Sequence, residues 1–160
     1  MNGGMLPLLL ICTTVGLALS LVGRRDALLG LAAIALSALA VSLLEFPPEA
    51  SKIVFAGLFV STIATAAMVY LPRSWPRYWA IPIALNAGGW AGALASLSGM
   101  HSGLWLALPL CLLCVPGRLI EQRGQGIAVK VAASWMIAIS SLSLFVSLMP
   151  HPGYVPDHME

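Results

Sequence analysis

The chain has 160 residues, of which 59% are hydrophobic and only 9% charged, with a formal net charge of +2. Soluble domains carry about 25% charged residues, so this chain could not cover a soluble surface and the bilayer must act as its solvent. No run or face of Lys and Arg is present, which excludes nucleic acid as a partner.

A spanning helix needs about 20 mostly apolar residues, and the chain offers six such stretches in turn. The first runs near 5–22. It is not a signal peptide by pattern, because Met1 to Met5 lacks the basic residues of an n-region. Arg24, Arg25 and Asp26 form a polar turn before the second span, near 27–44. Pro47 and Pro48 end that span, since proline cannot continue a helix. The third span lies near 53–71. The connection after it holds Arg73 and Arg77, and Tyr70, Trp75, Tyr78 and Trp79 read as an aromatic belt at the membrane–water interface.

The fourth span, near 79–99, is expected to be the central packing helix. Ala84, Gly88, Gly92 and Ser96 recur along it at four-residue spacing, which lets another helix approach closely in lipid. It also carries Asn86, an amide with no charged neighbour. At 1.5 Å per residue Asn86 lies roughly 10 Å in from the Trp79 end. It is expected to point into the bundle, because an amide facing lipid would be left unsatisfied. The fifth stretch, near 103–120, contains Pro109 and is short before Pro116. It spans if the helix continues through Arg118, Leu119 and Ile120; otherwise it is a re-entrant or broken segment. The sixth runs near 127–149, with Lys130 able to snorkel to the headgroups. A tail, 150–160, follows.

The expected fold is therefore all-α: a polytopic integral membrane protein of about six transmembrane helices in three antiparallel hairpins, forming a single membrane domain over 1–160. With six crossings, one side holds Arg24, Arg25, Arg73, Arg77, Arg118, Arg123 and Lys130, and the other only Lys52. Short cytoplasmic loops are the ones enriched in Lys and Arg. The asymmetry therefore places both termini on the outer, periplasmic side of a cell (inner) membrane.

Several residues could carry function. Cys12, Gly16 and Ser20 form a ridge on the first span, and Gly57, Ser61 and Thr65 on the third. Together with Asn86, Gly88, Gly92 and Ser96 they read as helix-packing faces or a pathway. Ser140, Ser143 and Ser147 share a face of the last span and can bond back to their own helix. Cys111 and Cys114 share a face and form a possible thiol pair, but they sit toward the C-terminal end of an apolar helix, where no N-terminal field stabilises a thiolate. His101, His151, Asp157 and His158 all fall on the outer side and are the metal or proton-sensing candidates. Their spacing matches no standard ligand pattern.

No Asp, Glu, Lys or Arg lies in the middle of any span, which argues against a proton relay. No hydrolase, phosphate-loop or dinucleotide motif is present, and nothing calls for a cofactor. The function expected is that of a small non-enzymatic membrane protein, transport- or channel-like and oligomeric. The alternatives are an accessory or assembly subunit of a larger membrane complex, or a thiol-redox or metal-handling protein. The partners expected are the lipid bilayer and either further copies of the chain or another membrane protein.

Overall fold

The computed structural model describes residues 5–71, 76–99, 101–124 and 126–149. Among them every regular element is helical. The helices are α1 (Met5–Ser20), α2 (Arg24–Ser42), α3 (Ser51–Ala67), α4 (Pro76–Ser98), α5 (His101–Ala107), α6 (Cys114–Gln122) and α7 (Gly126–Leu148). Five helical stretches of the described residues are long and apolar enough to cross a bilayer: Arg24–Ser42, Pro48–Tyr70, Trp79–Ser98, Ser102–Gln122 and Gly126–Leu148. The first helix is apolar but only 16 residues long. Helices are what such a composition demands, because lipid offers no partner to an unpaired backbone group.

Glycine sets two of the boundaries. Gly99 (φ 61°) and Gly124 (φ 76°) take the left-handed conformation that a Cβ disfavours. Their N–H groups donate back to Ser96 and Glu121, closing α4 and α6. The 103–120 stretch is helical throughout, so it is not broken by a loop. Leu108–Leu113 tightens to a 3₁₀ helix where Pro109 removes a donor. A 3₁₀ turn rises faster per residue than an α-turn, so α5 through α6 extends roughly 36 Å. That length exceeds a hydrocarbon core of about 30 Å.

The helix at the centre is α1, not α4. It touches every other helix, and Leu8, Ile11, Cys12, Thr14 and Val15 are fully buried. The reason lies in where each helix keeps its small residues. α4 carries them on one side and docks one neighbour closely with that side, leaving Ile81, Leu85 and Asn86 on its outer face exposed. α1 carries no charged residue, its small residues Gly16 and Ser20 admit the α5–α6 segment, and ten of its 16 residues are buried.

The closest pairing is α4 against α2. An ideal Cβ at Gly88 would sit 2.5 Å from the Ile34 carbonyl oxygen, and one at Gly92 3.0 Å from the Ser42 nitrogen. Ser96 then donates its hydroxyl to the Leu44 carbonyl. Residue numbers rise together along both helices, so the two run parallel. α1 and the α5–α6 segment are also parallel. Gly16 lies under the Leu110 and Cys111 carbonyls, Ser20 against Gly117, and Val22 beneath Arg118. α3 runs antiparallel to α4, with Gly57 beneath the Trp90 ring and Ser61 beside Asn86. It is likewise antiparallel to α7: Ala66, and Val69 in the 3₁₀ turn that follows, pack with Val129 and Ala133. The ends bearing Arg24, Arg118 and Lys130 thus lie together, joined by Arg118 Nη1 to the Val22 carbonyl (3.4 Å) and Tyr70 Oη to the Lys130 carbonyl (2.7 Å).

These contacts separate two neighbouring glycines. A side chain at Gly92 meets backbone, which cannot move aside, so Gly92→Leu should destabilise the fold by about 1–3 kcal/mol. At Gly89 a Cβ meets nothing within 4 Å. Gly89→Ala should leave the fold intact or stabilise it by up to about 1 kcal/mol through helix propensity. Thermal unfolding in mild detergent measures both, and equal loss from the two variants would contradict the α2–α4 pairing.

Candidate functional site

Polar groups at membrane depth are the places where chemistry or recognition can reside. Most hydroxyls here are neutralised locally. Thr14, Thr62 and Thr65 are buried and donate to the carbonyls of Leu10, Leu58 and Ser61 at 2.7–2.8 Å. Each donates to the carbonyl four residues earlier, the bond that makes Thr inexpensive to keep in lipid.

One cluster crosses between helices. Asn86 Nδ2 donates to Ser61 Oγ of α3 at 2.6 Å, and Trp90 Nε1 donates to Asn86 Oδ1 at 3.1 Å. The positions follow from simple geometry. Asn86 and Trp90 are four residues apart and so share a face of α4. Gly57, one turn before Ser61 on α3, provides the flat seat for the indole, whose ring atoms lie 2.5–2.6 Å from where its Cβ would be. Sequence reasoning singled out Asn86, Gly57 and Ser61 separately; the indole that joins them was not among the candidates. Its signal was the i,i+4 spacing of an amide and an indole.

Asn86 is exposed, contrary to the inward orientation expected. The expectation assumed that only the bundle interior could satisfy an amide. Ser61 and Trp90 do so instead along the outer groove between α3 and α4. An amide has two donors and two acceptor lone pairs. Those two bonds use one of each, and leave one donor and one lone pair on an exposed residue.

The remaining candidates separate. Gly88 and Gly92 face α2, Gly16 faces the α5–α6 segment, and Ser96 caps the α2–α4 contact. All three cysteines are free and buried. Cys111 has Cys114 on its own segment, and it shares the buried core with Cys12 of α1. Ser147 bonds back to Leu144 (2.8 Å), whereas Ser140 is fully buried with a hydroxyl that has no partner among the described residues. His101 opens α5, and His151, Asp157 and His158 lie outside the described residues. Among the described residues no group of three His, Cys, Asp or Glu side chains could hold a metal ion.

No family model, no curated protein and no solved structure matches this chain. The residues themselves therefore carry the functional argument.

Two substitutions test the polar assignments. Asn86→Leu removes the interhelical bond to Ser61 together with the bond from Trp90 within α4, and should lower stability by about 0.6–1.7 kcal/mol, the range for hydrogen bonds between membrane helices. Ser140→Ala removes an unpartnered hydroxyl and should be neutral or stabilising. Unfolding of the two variants side by side measures this, and marked destabilisation by Ser140→Ala would show that its hydroxyl has a partner.

Proposed function

We propose that this chain is a non-enzymatic integral membrane protein that works as an oligomer, with transport- or channel-like activity at the interface between copies. The observation that carries the reading is the exposed, half-satisfied amide of Asn86. Against hydrocarbon its open donor and acceptor are unfavourable. Against the same face of a second copy, or along a solute path between copies, both are used. Gly89 and Pro82 lie on the same face of α4, and a Cβ at Gly89 would meet no neighbouring helix within 4 Å. A glycine inside a helix is unfavourable by about 1 kcal/mol relative to alanine. Close approach of another helix gives it a use.

A pathway between copies also fits the interior. A cavity beside Val15, Leu19, Met68 and Ala80 has a volume of about 20 Å³, room for roughly one water. The backbones of α1, α2, α4 and the α5–α6 segment close upon one another through Gly16, Gly88 and Gly92.

A second reading, an accessory subunit of a larger membrane complex, is favoured by α7. This helix leaves Trp135 (65%), Leu142 (66%) and Phe145 (59%) exposed and packs mainly on α3. Such a helix suits docking against a different protein.

The chain crosses the membrane six times in this reading. The alternating directions of α1 to α7, with α5–α6 as one crossing, support that number. The basic residues of the odd-numbered connections then face the cytoplasm and both termini face outside.

Mass measurement in mild detergent, paired with solute flux in liposomes, tests the function. A homo-oligomer that conducts when pure, and that Asn86→Leu converts to monomer with loss of flux, is the expected result. A monomer that carries a stoichiometric foreign subunit overturns it in favour of the accessory reading. In a cysteine-free background, an impermeant thiol probe should label Glu49→Cys and miss Arg123→Cys in intact cells. The reverse pattern overturns the orientation.

A further inference from the structure

At the arginine-bearing end, a cleft of about 520 Å³ opens sideways between α2 and α6, with Leu19 of α1 at its back. Arg24 stands at its mouth on α2, and Arg118 faces it from α6. Below them the walls are apolar: Leu28 and Leu31 on one side, Leu112 and Val115 on the other. Arg24 to Leu31 is seven helical residues, so the walls run roughly 10 Å inward from the guanidiniums. Leu28 (58%), Leu112 (57%) and Val115 (56%) are exposed. The cleft therefore has a cationic mouth at the interface and an apolar trough that descends into the membrane.

We infer that this cleft is a binding site for an anionic phospholipid, its phosphate between Arg24 and Arg118 and its first acyl carbons along the trough. Guanidinium groups pair with phosphate through parallel charge-assisted hydrogen bonds. Basic pockets between membrane helices suit anionic headgroups for that reason. Arg118 is already held in place by its bond to the Val22 carbonyl. Arg118 stands between two cavities: it also lines a neighbouring polar one of about 380 Å³ with Asp26 and Glu121, and neither carboxylate lines this cleft. A second copy docked here face to face would bring like guanidiniums together and is disfavoured by their repulsion. Free phosphate would meet the mouth but gain nothing from the trough. The lipid uses both. This site is separate from the Asn86 face, and the two stand or fall independently.

The test uses the full chain in neutral detergent, titrated with phosphatidylglycerol, phosphatidylcholine or inorganic phosphate. Thermal stability and the lipid retained in native mass spectra are read together. Phosphatidylglycerol should bind and raise the melting temperature, with the other two far less effective. Arg24→Gln and Arg118→Gln should each weaken phosphatidylglycerol binding about tenfold or more, the loss of a charge-assisted pair. Arg25→Gln and Arg123→Gln, exposed at the same end but outside the cleft, should not. Leu31→Trp fills the trough without altering charge and should weaken binding as well. Arg24 is exposed, so its variant keeps the test valid if Arg118→Gln fails to fold. Equal effects of phosphatidylcholine or inorganic phosphate, or equal losses at Arg25 and Arg123, overturn the site. So does a change of oligomeric state in Arg24→Gln with lipid binding intact, which would assign the cleft to another copy.

Discussion

Contact at backbone distance between helices is the constraint on which this structure depends. In lipid an apolar side chain gains nothing by leaving one hydrocarbon surface for another, so helices associate through close packing and hydrogen bonds. Gly88 and Gly92 bring the backbone of α4 onto Ile34, Ala38 and Ser42 of α2, and Gly16 brings α1 onto the Leu110 and Cys111 carbonyls. Each contact needs a missing side chain, and each joins parallel helices that are not neighbours in sequence. The short connections order consecutive helices; the glycines decide how the hairpins assemble.

That division explains what could be read in the residues and what could not. Spans and their limits follow from apolar length, prolines and the arginines between them, all local properties. The helical class followed too, since a bilayer leaves an open chain no other choice. The partner of each glycine ridge did not follow. A four-residue spacing on α4 states that something comes close, but the same spacing occurs on α1 and α3. Choosing among them requires knowing which helix is surrounded. α1 is the surrounded one while α7, similarly apolar, stays at the edge, so apolarity does not make the choice.

The polar cluster shows a different limit. Asn86 was conspicuous in sequence because an amide is rare company for so many apolar residues. Its neighbours were less so, since a hydroxyl and an indole are ordinary membrane-helix components. Ser61 comes from another helix, and its role depends on the α3–α4 register. The cysteines make the same point: Cys111 and Cys114 announce themselves by spacing, while Cys12, distant in sequence, is buried in the same core. Spacing detects relations within a helix and misses those between helices.

The distribution of unspent interactions then separates interior from surface. Inside, threonine hydroxyls are bonded to their own helices and glycines are filled by neighbouring backbone. Outside, the amide of Asn86 uses only one donor and one lone pair, the space beside Gly89 is open, and α7 shows its aromatic side chains to the surroundings. A helix bundle complete in itself has no physical reason to place an amide and an open glycine together on an outer groove. Both features are mildly unfavourable in an isolated chain, and both become favourable through one event, the close approach of a polar-compatible helix. The interior holds the fold together, and in the proposed reading the outer α3–α4 groove is where a second copy docks.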